Sequence, residues 1–549
     1  MATSVNRGAA AAVVGLVVVA GAAGVWVARQ GGVAPQPVAP PPVAAPAHPN
    51  VLFIVWDTTR ADRMSLYGNP RPTTPRIAQF AESAVVYERA YSADMWTMPS
   101  HSSLFTGLPT TSHGVTSDYR WLDGTYLTLP EHLAAQGYDT YGFTANQFAS
   151  QNCNLFQGMG SFDTVWQGPY AKASRQATRR KLIPEDASTE ISPAWRPDAS
   201  KPNMMWDRGM AKDAGPVAHE AVIRWISERP DPKKPWFAFV NLMEAHWPRV
   251  PTVQARKQVM DEATYQKALT TDATLFTALS YNLDQHNYTP EEIAAQVAVY
   301  DASLVDLDNA TADLLDDLQD RGLLDDTVVV LTADHGEYLG DHHMFDHRYG
   351  LYDSMTRVPL ILRYPAALPP RRVAAPVSTA GVWTAVVEAA GLPMPADGWT
   401  RATLDVSTGG GAFSEYPVFD DRALTRFKKF YPNLDLTRWM RTLDAAVDGT
   451  YKLISYHDHV GTELYDLAAD PGETHNLAAE QPDRVAALQL KLDAWKAGQR
   501  AYDPAARGPD DKPKTLSSKE KQMLEALGYV QDDGDAPGGE GEGEEGGQP

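Results

Sequence analysis

The chain has 549 residues, 43% of them apolar and 21% charged, which fits a globular protein with one large α/β domain and a smaller one. Its net charge of −21 excludes a role built on contacts to nucleic-acid phosphates, which select basic surfaces. The lone Cys153 excludes an intrachain disulfide and a cysteine-based metal site. In chain order, the first feature is an unbroken run of Ala, Val, Gly, Leu and Trp at residues 9–28, after Arg7. It is about long enough to cross a bilayer, and it reads as a signal anchor or a cleaved signal peptide. Arg7 and Arg29 flank it almost symmetrically and barely orient it. Either form predicts an exported protein, periplasmic or cell-envelope in a bacterial-type cell, held to the membrane by residues 9–28 as a transmembrane helix if the run is retained. Residues 1–30 are thus leader or anchor, and the Pro/Ala-rich residues 31–48 a spacer.

From residue 50 an α/β pattern begins. Residues 51–56 are continuously apolar, as expected of a strand buried on both faces of a parallel sheet. Similar runs stand at residues 236–240, 327–331 and 358–362, with helical segments between them such as 75–84 and 301–320. This alternation predicts a large, mainly parallel sheet flanked by helices over residues 49–405. Ligands bind such sheets at the carboxyl ends of the strands, where Asp57, His246 and Asp334 fall. Residues 170–215 read as an irregular insertion, and 250–300 as polar and helix-compatible. Beyond residue 405 the segments shorten; residues 451–456 read as a strand and 482–499 as an amphipathic helix, within a C-terminal subdomain at 406–505. The tail at 506–549 is Gly- and Glu-rich near its end and is expected to be disordered from about residue 532.

Chemistry concentrates in Thr97-Met98-Pro99-Ser100-His101. Thr97 reads as a helix N-cap, with Pro99 tolerated in the first turn. A hydroxyl there lies in the positive field of a helix N-terminus, a good place to attack or hold a tetrahedral anion. Its partners are Asp57, ending one apolar strand, and Asp334-His335-Gly336, ending another. Cleaving a phosphate or sulfate ester needs an activated nucleophile, neutralised anionic oxygens and a leaving-group acid, and a divalent metal supplies the first two together. Asp57, Thr97, Asp334 and His335 offer such a metal three oxygens and one imidazole nitrogen.

At four places the chain resembles the sulfatases of the alkaline phosphatase superfamily. These are residues 49–62 around Asp57-Thr58-Thr59-Arg60, residues 97–107, residues 332–340 around Asp334-His335-Gly336-Glu337, and Glu463-Leu464-Tyr465-Asp466-Leu467 with Asp470-Pro471-Gly472-Glu473 and Asn476-Leu477. The resemblance implies an alkaline phosphatase/sulfatase-like fold with a small C-terminal antiparallel sheet plus helix. It places Asp57, Thr97, Asp334 and His335 at the family's metal and nucleophile positions. It also places His246 at a substrate-contacting histidine, and His347 where a lysine usually contacts the anion. Either histidine could serve as leaving-group acid.

The departures are as informative. Most sulfatases convert Cys or Ser at position 97 to formylglycine within a Cys/Ser-x-Pro-x-Arg context. Here the residue is Thr, which cannot be converted, and His101, counted among the candidate catalytic residues, takes the Arg position. Cys153 also lacks that context. An unmodified threonine nucleophile and no formylglycine are therefore expected. Sulfatases usually carry a second Asp at position 58 and Asp-Asn at 334–335. With Thr58 and His335, zinc or manganese is favoured as the single divalent ion, with calcium or magnesium as the alternatives. These features resemble the threonine-nucleophile members of the superfamily, lipoteichoic acid synthases and phosphoethanolamine transferases, and the phosphonate monoester hydrolases. A sulfo-threonine lacks the elimination route of a formylglycine hydrate, so phosphoesters and phosphodiesters are expected to be favoured. The expected function is metal-dependent hydrolysis of a small-molecule, glycan or lipid ester. The alternatives are transfer of a phosphoryl substituent to an envelope acceptor, or glycan binding without catalysis. Asn146 is placed near the anion pocket without an assigned role, and His342 and His343 are read as loop residues.

Overall fold

The computed structural model describes residues 48–174, 176, 214–407, 411–418, 428, 430–457, 461–508, 511–513 and 521. The leader, most of the spacer, most of the 170–215 insertion and the Gly/Glu-rich tail lie outside the described residues. Among those described, no helix is long and apolar enough to cross a membrane, which corrects the expectation of a transmembrane helix; the run at 9–28 that prompted it lies outside them.

The strands of the main sheet are β1 (Asn50–Trp56), β2 (Val85–Tyr91), β3 (Asp139–Thr144), β4 (Ser161–Thr164), β5 (Trp236–Leu242), β6 (Thr327–Thr332), then β9 (Arg357–Arg363), β10 (Arg371–Val373) and β11 (Val377–Ser378); β7 (Tyr338–Leu339) and β8 (Phe345–Asp346) form a separate hairpin. They lie in the order β10-β2-β9-β6-β1-β5-β3-β4, with β11 also on β2. β1 is central, parallel to β5 on one side and to β6 on the other. Every residue of β1, β5 and β6 is buried, the consequence of covering both faces of a continuous apolar run.

Helices that frame the sheets are α1 (Pro75–Phe80), α2 (Thr97–Thr106), α3 (Leu129–Ala135), α4 (Gly215–Glu228), α5 (Pro290–Asp320), α6 (Val382–Ala389) and α7 (Pro482–Ala497), with further short helices between them. The predicted 75–84 helix is α1 followed by a 3-10 turn at Ala81–Ser83. The predicted 301–320 helix starts earlier, because Thr289 and Glu292 form a capping box and Pro290 occupies the first turn. Asp308 of α5 accepts the amides of Arg76 and Ile77, capping α1 from another element.

One strand departs from the parallel expectation. β9 runs antiparallel to both β6 and β2. Consecutive antiparallel strands need no crossover helix to carry the chain back to the far edge. The whole segment between β6 and β9 therefore stays at the carboxyl end of the sheet, and it carries Asp334, His335 and His347.

The C-terminal sheet is β12 (Ala412–Tyr416), β13 (Leu443–Asp448), β14 (Tyr451–Tyr456) and β15 (Glu463–Asp466), antiparallel in that order. α7 packs on it, with Trp495 stacked on Phe413 at 4.5 Å. The C-terminal signature is structural in its hydrogen bonds. Asn476 Oδ1 accepts the Leu464 amide, and the Leu477 amide donates to the Leu464 carbonyl. The Glu473 carboxylate takes the Lys452 ammonium at 3.0 Å. Lys452 is fully buried and also pairs with Asp353 at 2.9 Å, in the turn just before β9. Tyr338, Met344, Tyr349, Leu351 and Met355 share one apolar cluster with Leu443, Ile454 and Tyr465 of this sheet. The loop carrying His347 thus rests on C-terminal residues.

Candidate active site

β1 delivers Asp57 at its end, and the chain turns at once. Thr58 adopts φ 57, an unfavourable conformation for a β-branched residue. β6 delivers Asp334, whose Oδ1 accepts the Thr58 amide at 3.1 Å and the His335 amide at 2.9 Å. His335 Nδ1 lies 2.9 Å from the Gly336 carbonyl, which fixes the tautomer that leaves Nε2 lone-paired and turned away from it. One ligand atom from each of Asp57, Asp334 and His335 lies within 4.8 Å of the other two, and among the described residues this is the group that could hold a metal.

The donor set fits a cation. Asp57 Oδ1, Asp334 Oδ2 and His335 Nε2 are buried without a hydrogen-bond partner, a costly arrangement for three polar atoms unless they share one. Burial and the Asp334 charge push Asp57 up to about 7, and burial raises Asp334 as well. Burial, then His347, holds His335 down to about 3, so it presents a neutral imidazole. Two buried carboxylates that resist ionising together, beside a neutral imidazole, are what a divalent ion would relieve.

Thr97 stands beside this cluster but not as an N-cap. Trp96, with extended φ −146 and ψ 165, holds the cap position, and Thr97 is the first helical residue of α2 with no capping bond from a side chain. Asn146 Nδ2 donates to Asp57 Oδ2 at 2.8 Å and reaches Thr97 Oγ1 at 3.4 Å, bridging cluster and hydroxyl. His101 Nδ1 lies 2.8 Å from the Thr97 carbonyl and 3.5 Å from Asp334 Oδ2. Burial lowers its pKa, so it too is neutral. His347 stacks on His335 and meets His246 edge-on, both at 4.9 Å between ring centres. Its Nδ1 lies 2.7 Å from Asp346 Oδ1. Burial pulls His347 down, but Asp346 outweighs it and the net shift is upward. The structure thus gathers Asp57, Thr97, His101, His246, Asp334, His335 and His347, none more than 2% exposed. His342 and His343 stand apart, His342 stacked on Tyr352 at 3.6 Å and His343 paired with Asp284 at 2.9 Å.

The profile of the Sulfatase family matches residues 49–392, well over half of the chain. The chain belongs to the sulfatase family. A second description, "N-sulphoglucosamine sulphohydrolase, C-terminal", matches residues 340–497. Arylsulfatase K of Xenopus laevis is 22% identical over 471 residues, 81% of either chain. N-acetylglucosamine-6-O-sulfatase of Bacteroides thetaiotaomicron is 22% identical over 535 residues, 87% of this chain and 90% of that one. Among solved structures, the phosphonate monoester hydrolase of Agrobacterium radiobacter aligns with a TM-score of 0.59 at 21% identity, covering 85% of this chain and 100% of that one. A protein solved in complex with its substrate D-glucosamine-2-N,6-O-disulfate aligns with a TM-score of 0.60 at 18% identity, covering 82% of this chain and 98% of that one. The likeness of these structures is one of fold. The protein is a sulfatase-family hydrolase.

Three residues of this sulfatase's site escaped the sequence reading. Asn241, which reaches toward Asp57 Oδ2 at 3.4 Å, is the one polar residue of β5 and was visible as an interruption of an apolar run. Asp346 adjoins His347 in sequence, a signal for a carboxylate–imidazole pair. Tyr300, on α5, contacts the Thr58 turn from 242 residues away and left no local signal.

Proposed function

We propose that this sulfatase hydrolyses phosphoric and sulfuric esters through the unmodified hydroxyl of Thr97, with phosphate mono- and diesters preferred. The observation that carries the reading is the Asn146 bridge, which ties the Thr97 hydroxyl to the Asp57–Asp334–His335 cluster. A divalent ion held by Asp57, Asp334, His335 and Thr97, zinc or manganese by its mixed oxygen and imidazole donors, would neutralise the carboxylates, acidify the hydroxyl and polarise the ester. The Asn146 amide, donating to Thr97 Oγ1, favours negative charge on that oxygen. Thr97 Oγ1, its hydroxyl proton passing to solvent, attacks phosphorus, the bond to the leaving oxygen breaks, and that oxygen takes a proton from an imidazolium. His347 suits this role because the Asp346 carboxylate, 2.7 Å from its Nδ1, raises its pKa. His246 lies beside it as the substrate-contacting histidine. Water then attacks phosphorus, giving a proton to the now neutral imidazole, and the bond from phosphorus to Thr97 Oγ1 breaks, releasing phosphate while Thr97 regains its proton from solvent.

Preference for phosphorus rests on the exit route, since a threonine ester offers no elimination. Relatives named as sulfatases favour the sulfuric ester as second reading, and those named as glycosaminoglycan or glucosamine sulfatases favour a glycan-borne ester. The apolar run at residues 9–28 supports export. The test is a panel of aryl sulfate, phosphate monoester, phosphodiester and phosphonate substrates on metal-loaded protein, with peptide mass analysis of residue 97. Phosphoesters should give the higher kcat/KM, with Thr97 unmodified. A dominant aryl sulfate rate would return the plain sulfatase reading, and activity without any divalent metal would end the metal-assisted one.

A further inference from the structure

The turn that follows Asp57 is held from outside. Thr58, buried at 0% exposure, sits at φ 57, where a β-branched residue is disfavoured and persists only if its surroundings over-determine it. Prominent among those surroundings is one phenol. The Tyr300 hydroxyl, projecting from the middle of α5, donates to the Thr58 carbonyl at 2.7 Å and accepts the Arg60 amide at 2.9 Å. It thereby closes the turn from both ends. Burial raises Tyr300, so the phenol keeps the proton it donates. The clamp matters beyond the turn because the Thr58 amide donates to Asp334 Oδ1. That bond, with the His335 amide, occupies Oδ1 and leaves Oδ2 as the free oxygen facing the cluster.

We propose that Tyr300 is a positioning residue for the metal site: its hydroxyl enforces the left-handed Thr58, and the Thr58 amide in turn orients the Asp334 carboxylate toward Asp57 and His335. The inference rests on the metal-dependent reading above. Without the hydroxyl, Thr58 relaxes toward negative φ, its amide swings off Oδ1, and Asp334 loses one of the two bonds that hold it. Outer partners of this kind typically alter metal affinity by about 10–100-fold.

The experiment is titration of the metal-free full chain with manganese(II), followed by calorimetry and by the EPR signal of the bound ion, with thermal melting of the metal-free protein in parallel. Tyr300→Phe keeps the ring in place and removes only the hydroxyl. It should weaken manganese binding about tenfold or more, and broaden or shift the EPR signal, while the metal-free protein still melts cooperatively. Adding Thr58→Gly should restore most of the affinity, because glycine takes positive φ without a clamp. Wild-type affinity in Tyr300→Phe would overturn the proposal. So would a loss that Thr58→Gly does not relieve, since Tyr300 would then act through general packing. If the wild-type chain binds neither manganese nor zinc, the metal-dependent reading falls and this inference with it.

Discussion

The Thr97 hydroxyl is placed by two neighbours of different kinds: the first turn of α2, whose cap is Trp96, and the Asn146 amide, which also holds Asp57. Thr97→Ala removes the proposed attacking oxygen while leaving the helix start intact, because the side chain makes no capping bond. Turnover should fall by about 10³-fold or more with little change in melting temperature, as nucleophile deletions do. Thr97→Ser keeps a hydroxyl and should retain measurable activity. His347 calls for a different comparison. A leaving-group acid matters in proportion to how badly the departing oxygen needs a proton. His347→Gln should therefore cost about 10²–10⁴-fold on alkyl phosphates and much less on a nitrophenyl ester. Equal losses on both would assign His347 to binding.

At the scale of elements, the loop between β6 and β9 is buttressed by the C-terminal sheet through the Lys452–Asp353–Glu473 cluster. Burial, opposed by Lys452 and reinforced by Asp353, pushes Glu473 up to about 8. A carboxyl whose folded-state pKa is raised makes the native state the better proton binder between the unfolded value of 4.5 and about 8. Its contribution is complete below the lower value and is lost as pH rises through the upper one. Glu473→Gln cannot ionise and keeps one of the two acceptor oxygens that serve Lys452 and the Asp353 amide. Stability measured by denaturant from pH 5 to pH 9 should decline less steeply in that variant than in the wild type. Removing the cation instead, by Lys452→Met, leaves buried carboxylates unpaired and should cost about 3–5 kcal/mol.

For the molecule as a whole, the apolar cluster shared by Tyr338, Met344, Tyr349, Leu351 and Met355 with Leu443, Ile454 and Tyr465 makes the C-terminal sheet part of the support of the loop between β6 and β9. A chain ending at residue 405 would expose one side of that cluster. It is expected to be insoluble or to lose cooperative melting, even though all seven site residues lie within it. An acid limit is built in as well. His113, fully buried against Ser103, is held down to about 3 by burial. The unfolded chain binds that proton from about pH 6.5 downward while the native state refuses it. Stability should therefore fall steadily as pH drops from 6.5 toward 3, and a His113→Asn variant, if it folds, should show a shallower slope over that window.

The sequence by itself determined the strands and the chemistry at their ends. Apolar runs at 51–56, 236–240 and 327–331, alternating with helical segments, read as strands covered on both faces, and Asp57 and Asp334, just after two of them, mark the carboxyl edge where a site forms. The short motifs around Thr97 and Asp334 carried the family because their spacing reflects local turns. Tertiary structure alone decided three things. It set β9 antiparallel, which keeps His335 and His347 on one side of the sheet; an apolar run has no direction until its neighbours are known. It moved the cap of α2 from Thr97 to Trp96, since a cap depends on backbone angles that a hydroxyl in the sequence does not specify. And it brought Tyr300 and Lys452 to bear on distant turns, through contacts whose partners are too far apart along the chain to leave any periodicity in it.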